Sequence, residues 1–274
     1  MTSTAGPNRQ IAFLLGKPLV NESVLTEVIG RLHHRVPTII LHHIDKRGGI
    51  PNLLYRSQLV VQRGLNVDQL VAAAMLEQAG IRCCNRIVAT SASSNRAGVL
   101  ASLSAAGVRV PKTSVVDTWT DVLAISRQQA IVVKDADGNV GRGQRVVIAI
   151  DGQLPGQPPF PGPFAVQEYI PNNGTVQKLY VAGNRVRGLI KNASPEHGAV
   201  DPGIPFDVDP DLKKLARCVS TALDLEIAGI DVLLSEDGAC VIDTNPFPGF
   251  RNLPDGAKMI ADHLASLVPD KKVG

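Results

Sequence analysis

Gly229-Ile-Asp231-Val-Leu-Leu-Ser-Glu-Asp237-Gly-Ala-Cys-Val-Ile-Asp243-Thr-Asn245-Pro-Phe-Pro-Gly249-Phe250 is the stretch on which the reading of this chain turns. Residues 230–234 and 239–242 are apolar runs rich in β-branched side chains, and Glu236-Asp237-Gly238 between them is a turn signal, so the stretch predicts a hairpin. Its first strand carries Asp231 and its return strand delivers Asp243 and Asn245. Residues two apart on an extended chain point the same way, and antiparallel pairing can bring Asp231 beside them. Two carboxylates and an amide oxygen form an all-oxygen, negatively charged set suited to Mg²⁺, which completes its shell with water and phosphate oxygens. The same spacing also suits two solvated strand-end carboxylates.

Working outward, residues 10–15, 38–41 and 57–61 read as strands, and residues 22–33 and 67–79 as helices. Their alternation predicts an open, parallel α/β lobe over residues 1–90, in which ligands sit at the carboxyl ends of the strands. Arg56 and Arg63 flank the third strand, and Lys17 follows the first. The histidine pairs His33-His34 and His42-His43 chelate poorly, because neighbours on a strand point to opposite faces.

A second region, residues 91–165, opens with a helix over 95–106 that carries Arg96, and has another helix over 119–127. The strand 130–134 ends in Lys134 and leads into a loop with Gly138, Gly141, Arg142 and Gly143 before the strand 145–150. Glycines let backbone N–H groups turn toward phosphates, and the lysine supplies charge. The loop opens no helix, so it matches neither a Walker motif nor a dinucleotide fingerprint. The Pro/Gly-dense residues 151–163 read as a linker.

The third region, residues 166–274, begins with Gln167-Glu168-Tyr169-Ile170, a strand stopped by Pro171. Strands over 178–181 and 185–191 carry Lys178, Arg187 and Lys191; a long loop spans 193–210; helices cover 211–223 and 256–267.

The chain has 274 residues, 44% of them apolar, 19% charged and only 4% aromatic, with a net charge of +3. No Lys/Arg-dense block is present, which argues against a nucleic-acid partner. No apolar run is long enough for a signal peptide or a bilayer span, so the expectation is a cytoplasmic protein with no membrane partner. Cys83, Cys84, Cys218 and Cys240 lack Cys-x-x-Cys spacing and read as reduced, mostly buried thiols.

The order of these features (strand lysine and Gly-rich loop, Gln-Glu-Tyr-Ile, cation-bearing strands, Asp231 and Asp243-Thr-Asn245-Pro-Phe-Pro-Gly249) resembles the ATP-grasp superfamily, and among its members the RimK-like carboxylate–amine ligases. The resemblance runs from about residue 10 to residue 267. It implies an α/β ATP-grasp fold: an N-terminal open α/β lobe, a central lid lobe and a C-terminal antiparallel-sheet lobe. It further implies ATP and Mg²⁺ as cofactors. Lys134, Arg96 and the loop with Gly138, Gly141, Arg142 and Gly143 would contact the phosphates. Gln167, Glu168, Tyr169 and Ile170 would hold adenine, with Lys178 nearby. Asp231, Asp243 and Asn245 would bind the metal, and Arg251, Lys191 and Arg187 would serve the transferring phosphoryl group or the carboxylate.

Three departures stand out. Arg96 occupies the place of a lysine, Asp243 that of a glutamate, and Val176-Gln177-Lys178 that of Asp-Ile-Arg. The last opens a rival resemblance to ATP-grasp inositol-phosphate kinases, and a nucleotide-binding protein without turnover is a third reading. The ligase is preferred because the cations near the site suit a mono- or dianion better than a polyphosphate. The implied substrates are a small-molecule or peptide carboxylate and an amine, joined through an acyl phosphate. A homodimer is the default assembly.

Overall fold

The computed structural model describes residues 8–41, 50–137, 146–193 and 201–268. The first lobe is built from β1 (Asn8–Leu15), α1 (Val24–His33), β2 (Thr38–Leu41), β3 (Ser57–Arg63), α2 (Val67–Gln78) and β4 (Cys83–Cys84). Its sheet has the order β2-β1-β3-β4, with every pairing parallel. Parallel strands covered on both faces read as continuous apolar runs, and β1 shows why. Ile11, Phe13 and Leu15 pack toward α1, while Ala12 and Leu14 pack toward α2. The helices start where side chains satisfy their first amides: Ser23 Oγ accepts the Thr26 N–H, and Asn66 and Gln69 form a reciprocal capping box.

The second group of elements is α3 (Ile87–Ala92), α4 (Arg96–Ala105), β5 (Thr113–Val116), α5 (Trp119–Ser126), β6 (Ile131–Asp135), β7 (Val146–Ala149) and β8 (Phe164–Glu168). The strands form an antiparallel sheet of order β5-β8-β6-β7. Residues 151–163 correct the linker reading. Phe160 is buried against Phe164, whose ring centroid lies 5.7 Å away, and the Trp119 indole donates to the Pro155 carbonyl at 2.8 Å. The segment packs as a wall of this second group of elements, with Leu154 and Phe160 against its core.

The third sheet has the order β11-β10-β9-β12-β13, from β9 (Thr175–Ala182), β10 (Arg185–Asn192), β11 (Ile204–Phe206), β12 (Ile227–Ser235) and β13 (Gly238–Pro246). Two further helices are α6 (Pro210–Ala222) and α7 (Gly256–Ser266). On one face Leu179, Val181, Ile230, Val232 and Val241 pack against Leu212, Ala216 and Val219 of α6. On the other, Tyr180, Leu189 and Ile227 join the core of the first lobe, together with Phe247, Phe250 and α7.

Chain order and spatial order part company at the end, since α7 packs on α1. The buried Asn85 side chain makes a second seam. Its Nδ2 donates to the Ile227 carbonyl at 2.7 Å and its Oδ1 accepts the Ile227 N–H at 2.7 Å, continuing the ladder from β4 toward β12.

Candidate active site

The hairpin forms as its turn signal implies, with one addition. Asp231 lies opposite Asp243 and Gly229 opposite Asn245, but Val232 pairs with Val241, so Ile242 is an extra residue on β13. Such a bulge frees backbone groups from the ladder. Here the Ile242 carbonyl accepts a hydrogen bond from Lys134 Nζ at 3.1 Å. Lys134 comes from β6, in the other sheet, and is buried.

Register places the remaining cations on the carboxylate face. Lys178 lies opposite Asp231 and Leu189, Arg187 opposite Tyr180, and Lys191 opposite Val176. Directly opposed and alternate residues share a face. Lys178, Arg187 and Lys191 therefore lie on the same side of the sheet as Asp231, Asp243 and Asn245. Only Lys178 makes contact with them: its Nζ is 2.7 and 3.0 Å from the two Asp231 oxygens. Lys191 Nζ donates to the Asp201 carbonyl at 2.9 Å, and the exposed Arg187 donates to the Val186 carbonyl at 3.2 Å.

Arg96 is the second cation at the carboxylates. It opens α4 after the Asn95 cap; its Nη1 lies 2.8 Å from Asp243 Oδ1 and its Nε donates to the Asp135 carbonyl at 3.2 Å. Each acidic side chain thus has one counter-cation, Asp231 with Lys178 and Asp243 with Arg96. Burial pushes the Asp231 carboxyl above its ordinary value, Lys178 opposing that rise and Asp243 adding to it. Burial lowers Lys134; at Lys178 burial also opposes the charge, but Asp231, with Tyr180 and Asp243 adding to it, holds the ammonium up.

Whether this set fits a hard cation is testable on its own atoms. Asp231 Oδ1 is buried with the Lys178 ammonium 2.7 Å away, and Asp243 and Asn245 extend the oxygen set along one face of β13. An oxygen-only, anionic set fits magnesium.

Between the hairpin and the first lobe is a cavity of about 180 Å³. Arg96, Asp243 and Asn245 line one side, and Gln62, Arg63 and the hydroxyl-bearing Thr90, Ser93 and Ser94 the other. The residues after β13 dock this side. Phe247 and Phe250 are buried at positive φ of 48° each, a strained conformation held by packing. Arg63 stacks 5.6 Å above the Phe247 ring and donates to its carbonyl at 3.2 Å. A Cβ on Gly249 would lie 3.7 Å from Arg63 Nη2 and 3.9 Å from Arg251 Nε, so Arg251 sits on this same rim.

At the hinge, Gln167 is buried, the Glu168 N–H donates to the Lys112 carbonyl at 2.9 Å and the Tyr169 N–H to the Ala130 carbonyl at 3.0 Å. Ile170 packs with Leu233 and Cys240. Gly138, Gly141, Arg142 and Gly143 lie outside the described residues. The cavity's hydroxyls were not singled out by sequence reasoning. The one signal for that wall is Gln62, a buried polar residue ending an apolar strand, hydrogen-bonded to Thr90 Oγ1.

Comparison with known proteins bears on the fold and the family. The chain is 29% identical over 223 residues to human beta-citrylglutamate synthase B, covering 72% of this chain and 56% of the synthase. It thus spans little more than half the length of that relative. A probable alpha-L-glutamate ligase of Methanococcoides burtonii is 27% identical over 209 residues, covering 69% of this chain and 68% of the ligase. Among solved structures, the ATP-grasp ligase PsnB complexed with minimal precursor, Mg and ADP superposes with a TM-score of 0.72 at 16% identity, covering 98% of this chain and 100% of that one. The RimK domain protein ATP-grasp from Sphaerobacter thermophilus gives 0.68 at 22% identity, covering 92% and 98%. These likenesses show the fold. The model of the RimK-like ATP-grasp domain matches residues 93–266, well over half of the sequence, and the chain belongs to that family.

Proposed function

We propose that this chain is an ATP- and magnesium-dependent carboxylate–amine ligase, which activates an acid as its acyl phosphate and releases ADP and phosphate as an amide bond forms. One observation carries the reading: Lys134 of β6 and Arg96 of α4 converge on β13, at the Ile242 carbonyl and the Asp243 carboxylate, beside a polar cavity. The relatives named as glutamate ligases and a citrylglutamate synthase support an amino acid as one substrate and a carboxylate as the other.

In this reading the Gln167–Ile170 strand end receives adenine, the Glu168 N–H being committed to Lys112. Gly138, Gly141, Arg142 and Gly143, outside the described residues, would contact the phosphates, and Lys134 and Arg96 would offset their charge. Asp231, Asp243 and Asn245 would hold magnesium, which would neutralise phosphate charge there. The acid's carboxylate, held by Arg63 or Arg251 at the cavity rim, attacks that phosphoryl group and the bond to ADP breaks. The amine then attacks the acyl carbon and phosphate leaves, with Arg187 and Lys191 on the same face steering anionic groups. Excluding water from the closed site protects the acyl phosphate.

The test is ADP release from Mg²⁺-ATP with amino acids, dicarboxylates and polyol phosphates, with and without hydroxylamine. An acid-dependent hydroxamate is expected. ADP release with a polyol phosphate and no hydroxamate would make the chain a kinase.

A further inference from the structure

A second constellation lies away from the hairpin carboxylates, where the first lobe, the C-terminal sheet and the last helix meet. Cys84 ends β4, Glu226 immediately precedes β12, and His263 lies in the last turn of α7. The Cys84 sulfur, a Glu226 carboxylate oxygen and a His263 ring nitrogen lie within 4.8 Å of one another. Among the described residues no other trio of histidine, cysteine and acidic side chains does so.

The trio is held from several directions. Asn85, next to Cys84, is locked by its two 2.7 Å hydrogen bonds to Ile227, next to Glu226. Gly183 makes room for the imidazole: a Cβ there would lie 2.4 Å from His263 Nδ1. The other ring nitrogen, Nε2, is buried and faces Glu226 Oε2 at 3.1 Å. Arg82 also approaches Oε2, at 3.3 Å, but its side chain is half exposed and can turn to solvent. An ion-pair network of Arg82, Glu226 and His263 explains the carboxylate. It does not use the adjacent buried thiol of Cys84.

We propose that Cys84, Glu226 and His263 form a zinc-type metal site, separate from the magnesium site, with its fourth position open to water. Thiolate, imidazole and carboxylate are the donors that tetrahedral zinc takes, and sulfur and nitrogen exclude magnesium. A groove of about 630 Å³, lined by Glu226, His263, Asp262 and Met259, brings solvent beside the trio, where the Glu226 carboxylate is partly exposed. Binding displaces the Cys84 thiol proton to water and changes no oxidation state. The bound ion would cross-link β4, the start of β12 and α7, so occupancy registers in stability as well as in spectra.

The experiment titrates the full chain, first stripped with a chelator, with Co²⁺ and then with competing Zn²⁺. The expected result is a near-ultraviolet thiolate-to-cobalt band with the intense visible absorption of a tetrahedral ion, saturating at one cobalt per chain and erased by Zn²⁺. Cys84→Ser removes the ultraviolet band and Cys83→Ser keeps it. Should Cys84→Ser fail to fold, His263→Gln and Glu226→Gln serve: each weakens Zn²⁺ binding about tenfold or more and diminishes the Zn²⁺-dependent rise in Tm, with unchanged far-ultraviolet circular dichroism. No band in the wild type, a band surviving Cys84→Ser, or undiminished Zn²⁺ affinity in His263→Gln would overturn the assignment.

Discussion

Replacing Lys178 with methionine keeps the length of the side chain and removes an ammonium that lies 2.7 and 3.0 Å from the two oxygens of Asp231. At an effective dielectric of about 20 the direct attraction at that distance is about 6 kcal/mol, most of it offset by the desolvation of both ions. What the variant loses is the compensation of a carboxylate that stays behind. Breaking a buried pair in this way costs about 3–5 kcal/mol, and the residual exposure of 22% and 18% brings the expectation to about 2–3 kcal/mol at neutral pH. For a chain of this size that is a fall in Tm of about 5–10 °C. The sign with pH is specific. Burial already raises the Asp231 carboxyl and loss of Lys178 raises it further, so the fold prefers the protonated acid. That preference is satisfied at low pH and violated as pH rises through the raised value. Denaturation followed by circular dichroism should therefore show a small deficit near about pH 4 and the full one near about pH 8. Lys178→Met/Asp231→Asn should recover most of the loss. A deficit independent of pH, or a double variant no better than the single, would refute the reasoning.

Lys134→Met and Asn245→Ala should each lower ADP formation about a hundredfold or more while leaving the circular dichroism spectrum intact, as expected for groups that meet transition-state charge; near-normal turnover in either would remove it from the site. Gly16→Ala should destabilise by about 3 kcal/mol in urea denaturation, because its Cβ would lie 1.8 Å from the Gly64 carbonyl oxygen, a backbone atom with nowhere to yield. Asp262 accepts Lys258, Arg35 and Arg185, all at 2.7–2.8 Å, and Lys258 and Arg35 lead in holding its carboxyl far below the ordinary range. A lowered carboxyl stabilises above its unfolded value and loses that contribution as pH falls through the folded one. Asp262→Asn should thus cost about 1 kcal/mol at neutral pH, after solvent screening, and nothing in strong acid, as read from Tm against pH.

The hairpin was legible because its turn and its period-two apolar pattern agree locally, and β6 was legible as a buried run ending in Lys134. The bulge was not, since Ile242 carries no mark that distinguishes an extra residue from a paired one. Nor were the two counter-ion pairs, whose partners are 53 and 147 residues apart in the chain and meet only through sheet register and the docking of α4. β4 has two residues, β5 is largely exposed, and β11 is an Ile-Pro-Phe edge; none buries enough of a face to leave a periodic signature. The helix read over 211–223 begins at Pro210 instead, because Asp209 supplies the cap and proline suits the first turn. Proline density misled at 151–163, where a single aromatic, Phe160, decides that the segment packs.

The most direct test of the proposed chemistry is oxygen transfer from the acid. The acid giving the strongest ADP release is labelled with heavy oxygen in its carboxylate, allowed to turn over with Mg²⁺-ATP and an amine, and the released phosphate is analysed by mass spectrometry. An acyl phosphate predicts one labelled oxygen in each phosphate released. Unlabelled phosphate, a phosphoryl group retained on the substrate, or the absence of any acid-dependent ADP release would contradict it.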